Sequence, residues 1–151
     1  MNKEFIPYEQ ALELKELGFD EPCFAHLIGF GNGTLENGRY VINHQHVFYP
    51  NDRITSADKA EELGLHPFVI CGVPLYQQAF RWFREKHNLR SFVDTRVYNV
   101  DSPNQWIYDY QIKMGNGINT QPFYSGDFDS YEEAELECLI KLIEIAKGGN
   151  K

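Results

Sequence analysis

The densest group of residues that could bind a ligand is a basic cluster between positions 81 and 90. Arg81, Arg84 and His87 recur every three residues, a spacing that places side chains on one face of a helix. Arg90 follows at the start of a predicted strand. Arginine donates paired hydrogen bonds to phosphate or carboxylate groups, so these four residues form a candidate anion-binding patch. Ordinary ion pairing and the dipole at a helix end also account for such a cluster.

A second candidate is a metal site on a predicted hairpin. His44 and His46 are two residues apart and therefore project from the same face of a strand, while His26 on the partner strand offers a third nitrogen. Imidazole nitrogens are common ligands of zinc and other transition metals. Two histidines without a fixed third ligand suit a polar strand face equally well. A metal-dependent enzyme is therefore the alternative function, and the main hypothesis includes no cofactor.

The sequence contains no familiar motif for nucleophilic catalysis or for nucleotide binding. It has no Gly-x-Ser-x-Gly elbow, no Walker loop and no Gly-x-Gly-x-x-Gly that opens a helix. Cys23, Cys71 and Cys138 are an odd, widely spaced set without a C-x-x-C pair, which argues against a disulfide framework or a structural zinc site. None of the three lies among basic residues that would activate a thiolate. These observations favour a binding protein over an enzyme.

Charge and hydropathy exclude two further classes. The 151 residues include 14 Lys and Arg against 22 Asp and Glu, a formal net charge of −8. General nucleic-acid binding is disfavoured because it needs a surplus of basic residues. The sequence has neither the roughly 18–20 consecutive apolar residues of a membrane span nor an apolar leader at the N-terminus. We therefore expect a cytoplasmic protein that does not bind membranes.

Periodicity and turn signals predict ten elements in the order α-β-β-α-β-α-β-β-β-α. The predicted helices cover 7–17, 56–63, 75–88 and 130–147, and the predicted strands cover 23–30, 39–49, 68–73, 90–100, 105–114 and 120–124. Antiparallel strands with helices laid on one side make an α+β fold, arranged as a two-layer sandwich. We expect one domain over 1–151, with 1–73 and 74–151 as possible sub-units.

Local signals mark the ends of two helices and the core face of one strand. Gly18 suits the left-handed position that ends the first helix. Ser130 and Glu133 form a capping box at the start of the last helix, whose acidic first turn is otherwise expected to be a solvated face. Aromatic residues make up 15% of the chain. Trp106, Tyr108 and Tyr110 alternate along a predicted strand that Ile112 continues, and we expect this face to pack against helices as core.

Three stretches look familiar: FIPYEQALELKELGFDEPC at 5–23, PLYQQAFRWFREKHNLRS at 74–91 and SYEEAELECLIKLIEIAK at 130–147. They resemble short uncharacterised proteins of bacteriophages and prophages of gut anaerobic bacteria. The resemblance covers about a third of the chain and brings no catalytic motif, so no functional residues are transferred from it. It implies a small accessory protein that acts inside an infected bacterial cell.

We therefore expect a non-enzymatic accessory protein that binds a host protein or a small anionic molecule. Such a protein would modulate a host factor or sequester the anion, for example to counter a host defence. If a ligand is bound, Arg81, Arg84, His87 and Arg90 are the expected contacts. A third possibility is a subunit of a larger assembly with part of its aromatic surplus exposed, and the sequence leaves the oligomeric state open.

Overall fold

The structure, a computed structural model, describes residues 4–30, 39–42, 67–99, 102–115, 123–124 and 126–148. They divide into two compact units, Asn2–Leu75 and Tyr76–Lys151. Each unit contains at least one helix and a three-stranded antiparallel sheet, so the predicted α+β class is confirmed. The predicted helix at 56–63 and the strand residues 43–49 lie outside the described residues. Among the described residues, no helix is long and apolar enough to cross a membrane.

The first unit combines one helix with a sheet in the strand order β2-β1-β3. Helix α1 spans Tyr8–Glu16, and strands β1, β2 and β3 span Ala25–Phe30, Arg39–Ile42 and Pro67–Val73. The predicted pairing of β1 with β2 is confirmed, and β1 also pairs with β3 along its other edge. Helix α1 contacts β3, which closes a core around Leu14, Leu27 and Val73.

Helix α1 ends at the glycine that the sequence marks. Gly18 has a φ of 93° and donates its backbone N–H to the carbonyl of Lys15, while Phe19 donates to the carbonyl of Leu14. These two bonds satisfy carbonyls that the end of a helix otherwise leaves unpaired. Phe19 is buried, so it folds back on the last turn as the sequence indicates. Pro7 stands at the N-cap with extended backbone, so the helix begins at Tyr8, one residue after the start that the sequence predicts.

The second unit places two helices with a sheet in the order β4-β5-β6. Helices α2 and α3 span Tyr76–Lys86 and Tyr131–Gly148, and β4, β5 and β6 span Leu89–Asn99, Ser102–Met114 and Phe123–Tyr124. Helix α3 contacts β4, β5 and α2. Its apolar side, Ala134, Cys138, Leu139, Leu142, Ile143 and Ala146, is buried. Burying each of its larger aliphatic side chains contributes about 2 kcal/mol, and this makes the helix–sheet layer the core of the unit.

The start of α3 confirms the predicted cap with one difference. The backbone N–H of Glu133 donates to Oγ of Ser130 at 3.2 Å, as in a capping box. The Glu133 carboxylate accepts from the backbone N–H of Asp129 at 3.4 Å rather than from that of the N-cap residue. The cap therefore holds one more residue of the segment that precedes the helix.

Candidate functional site

The two faces of the long β4–β5 hairpin have different surroundings. Ser91 pairs with Ile112, and its side chain forms a hydrogen bond with Cys138 of α3. Since side chains alternate along a strand, the odd-numbered residues of β4 and the even-numbered residues of β5 lie on the helix side of this sheet. Tyr110 and Ile112 are buried there, as the sequence predicts. The intervening residues project from the opposite face.

The helix-side face becomes exposed towards the far end of the hairpin. Trp106 is 53% exposed, and Val97, its partner across the two strands, is 40% exposed. Tyr108 is half-buried and its ring meets Tyr131 edge-on at 6.3 Å, with Tyr131 43% exposed. We call Val97, Trp106, Tyr108 and Tyr131 the aromatic surface.

The prediction that Trp106 belongs to the core is therefore wrong, whereas it is confirmed for Tyr110. The physical reason is the position at which α3 begins. Tyr131 is the first residue of α3, and its ring contacts Tyr108. Trp106 lies two residues before Tyr108 in β5, further from the buried Tyr110 and Ile112.

Carboxylates are concentrated beside the aromatic surface. The segment that enters α3 contains Asp129, Glu132, Glu133 and Glu135, and no basic residue stands between positions 125 and 140. Burial, followed by the charge of Glu132, raises the pKa of Glu135 to about 7. Burial, together with Glu135, also raises the pKa of Tyr131. We call residues 129–135 the acidic segment.

Two cations face each other on the other side of the hairpin. Arg90 of β4 pairs with Lys113 of β5, and both side chains are exposed. The Lys113 ammonium lies over the ring of Phe92 at 5.4 Å from its centroid, and Phe92 is 53% exposed. Among the residues that the structure describes, neither cation of this Arg90–Lys113 pair forms an ion pair.

Further along the same face, the charges are acidic and partly neutralised. Asp94 pairs with Asp109 across the strands, and Nε of Arg96 lies 3.3 Å from Oδ2 of Asp109. Arg96 also forms an ion pair with Asp127. Oδ1 of Asp109 is buried and has no hydrogen-bond partner within the described ranges. The face therefore changes from cationic to acidic along its length, and Arg96 is paired with Asp109 and Asp127.

The four residues of the predicted anion patch have different environments. Arg81 and Arg84 are exposed on α2, where an Arg84 nitrogen lies 4.0 Å from a Glu85 oxygen. The ring of His87 packs against Trp82 at 4.7 Å between centroids, and burial lowers its pKa, which favours the neutral form. Arg90 belongs to the cross-strand pair on the sheet. The combined four-residue site stays a prediction.

The predicted metal site stays untested. His26 is buried in β1, 2% exposed, between its cross-strand partners Val41 and Gly72. His44 and His46 lie outside the described residues. Within the described parts of the chain, no group of three or more His, Cys, Asp or Glu residues is placed to hold a metal ion.

The three thiols are buried. Burial raises the pKa of Cys23 and of Cys138 to about 12, and that of Cys71 to about 11. A thiol reacts as its thiolate, so these environments disfavour a nucleophilic role.

Sequence reasoning missed Lys113 as a site residue because its significance depends on register. Arg90 and Lys113 are 23 positions apart, and only the pairing of β4 with β5 makes them neighbours. The alternation of side chains along each strand does predict the side of the sheet from which Arg90 and Lys113 project. A count of matched positions back from a turn at 101–104 would place Arg90 opposite Gly115, whereas the observed register, which shifts between Val97 and Asn99, places it opposite Lys113.

In comparisons with known proteins, the chain matches no family model, no curated protein and no solved structure. The resemblance to phage and prophage proteins therefore remains an expectation.

Proposed function

We propose that the chain is a non-enzymatic interaction protein that holds a protein partner on its aromatic surface. The observation that carries this proposal is the exposure of Trp106, at 53%, directly opposite Val97, at 40%. Large apolar side chains grouped on a surface mark interaction sites, and Trp and Tyr dominate the energy of protein interfaces. Tyr131 extends the same surface from the first turn of α3.

The acidic segment specifies the chemistry of the partner. Four carboxylates lie within the seven residues from Asp129 to Glu135, in a chain whose net charge is −8. A second copy of the chain would bring the same charges to the contact and be repelled. A partner segment that combines apolar side chains with Lys or Arg is complementary to both features, and opposite charges also accelerate encounter.

A phage setting gives this binding a role. An accessory protein inside an infected cell would use such a surface to modulate a host factor, by covering a basic, partly apolar site on it. The raised pKa values of the buried thiols support binding over thiolate chemistry in the described residues.

Affinity capture with matched variants tests the proposal. The wild-type chain, Trp106→Ala and Phe92→Ala are each immobilised and exposed to lysate of cells that naturally produce the chain. Phe92 is the control because it is equally exposed but lies on the opposite face of the hairpin. We expect a protein retained by the wild type and by Phe92→Ala and lost from Trp106→Ala, with retention weakened by salt. Equal retention by all three chains would contradict the proposal.

A further inference from the structure

The Arg90–Lys113 pair is an unfavourable arrangement for a sheet by itself. Residues directly opposite on neighbouring strands have Cβ atoms about 5 Å apart, and like charges at such positions destabilise the sheet. The chain has an excess of eight acidic residues from which a counter-charge could come. Within the described ranges, however, no carboxylate pairs with either cation.

Phe92 fixes the position of one of the two cations. Its ring holds the Lys113 ammonium at 5.4 Å from the centroid through a cation–π contact. Arg90 and Phe92 are two residues apart on one strand and therefore share a face. The contact keeps the ammonium on the exposed face of the sheet from which Arg90 also projects.

The distribution of charge along this face determines where an anion is attracted. Arg96 forms ion pairs with Asp109 and Asp127, and these two carboxylates neutralise its charge. On this face the pair formed by Phe92 and Gln111 follows the two cations, and the pair formed by Asp94 and Asp109 comes next. An anion is therefore attracted to the Arg90 end and repelled from the far end.

We propose that Arg90 and Lys113 bind the phosphate group of a small phosphomonoester, with Phe92 as the residue that positions Lys113. A phosphomonoester carries close to two negative charges near neutral pH, matching two cations. Arginine donates a planar fork of hydrogen bonds to two phosphate oxygens, and lysine adds a compact charge. The exposed part of the Phe92 ring offers a contact for a planar group attached to the phosphate.

This site is independent of the proposed partner surface. Trp106 projects from the helix side of the sheet, whereas Arg90, Phe92 and Lys113 project from the other side. A failure of phosphate binding leaves capture through Trp106 unaffected, and the reverse also holds. The two proposals can therefore fail separately.

Calorimetric titration with adenosine 5′-monophosphate, ribose 5-phosphate and adenosine tests the site. We expect both phosphates to bind and adenosine not to bind. Arg90→Ala and Lys113→Ala should each weaken binding about tenfold, because each removes one charge-assisted contact. Phe92→Ala should weaken it about threefold, since Lys113 keeps its charge but loses its support.

Two controls keep the result interpretable. Lys86→Ala removes an exposed cation of α2 that lies outside the predicted anion patch and should leave binding unchanged, and circular dichroism should show the same fold for every variant. Binding of adenosine as tight as that of the monophosphate would overturn the proposal. So would an affinity for ribose 5-phosphate that falls in Arg84→Ala but not in Arg90→Ala or Lys113→Ala, because the anion would then be held by the helix.

Discussion

The two tryptophans of the chain have opposite environments, and this contrast underlies the functional proposal. Trp82 is 2% exposed and packs edge-on against Phe83 at 5.1 Å between ring centroids, whereas Trp106 is 53% exposed. The same side chain therefore contributes to folding at one position and is available for binding at the other. Keeping a Trp in water gives up burial worth about 2–3 kcal/mol, a sacrifice that a binding role explains.

Fluorescence quenching measures this contrast directly. Acrylamide, which is neutral, should quench a large part of the native emission because it reaches Trp106. In Trp106→Phe the remaining emission comes from Trp82 and should be shifted to the blue and hardly quenched. In denaturant both tryptophans should be quenched, which provides the control. Native emission of Trp106→Phe that is quenched as strongly as that of the wild type would show that Trp82 is not buried.

A close approach in the first unit gives a second prediction at the level of single residues. A Cβ added to Gly72 of β3 would lie 2.8 Å from Sγ of Cys23 and 3.2 Å from its Cβ. Gly72→Ala should therefore lower the free energy of unfolding by about 1–3 kcal/mol through overpacking, as measured by urea denaturation. Gly148→Ala is the matched control, since nothing lies within 4 Å of the added Cβ.

The double variant Cys23→Ala/Gly72→Ala separates overpacking from other effects. Removing Sγ leaves room for the new methyl group, so the cost of Gly72→Ala should be smaller in this background than in the wild type. Strictly additive effects of the two substitutions would show that the sulfur is not what excludes a side chain at position 72.

Among the elements, helix α3 combines a fold-forming face with the acidic segment. Burial and the neighbouring Glu132 raise the pKa of Glu135 from 4.5 to about 7. The folded state therefore holds this proton more tightly than the unfolded chain, and its contribution to stability decreases as pH rises between about 4.5 and 7. Above pH 7 the folded chain carries the full cost of an ionised, half-buried carboxylate next to another.

Glu135→Gln should remove that cost. The variant should equal the wild type near pH 4 and exceed its free energy of unfolding by about 1 kcal/mol at pH 8, a modest gain because solvent screens the half-buried group. Urea denaturation at the two pH values measures the difference, with the exposed Glu137→Gln as a control on the same helix. A Glu135→Gln variant less stable than the wild type at pH 8 would contradict the assignment.

The elements differ in how much of their structure the sequence predicts. Local signals predict α1 and its Gly18 end, the Ser130 cap of α3, and the buried face of β5 at Tyr110 and Ile112, because each depends on neighbours along the chain. The pairing of β1 with β3 and the opposition of Arg90 and Lys113 are long-range and need the register. The exposure of Trp106 depends on where α3 begins relative to β5. The alternation of residues along one strand carries no information about that position.

For the whole molecule, charge is the property that links the surfaces. The net charge of −8 is distributed unevenly in the second unit, where the acidic segment borders the aromatic surface and the Arg90–Lys113 pair occupies the opposite face. A binding protein with this distribution can attract a cationic protein segment on one face and a small anion on the other. Each interaction should weaken as salt rises, because both depend on charges at the surface.

The most direct test of the central claim is the affinity of the captured partner for the wild type and for Trp106→Ala, measured by titration at low and high salt. We predict that Trp106→Ala raises Kd at least thirtyfold, as expected for loss of a central aromatic contact worth about 2 kcal/mol or more, while Phe92→Ala leaves it unchanged. Glu132→Gln should weaken binding at low salt and have a smaller effect at high salt. A Kd for Trp106→Ala equal to that of the wild type would contradict the account.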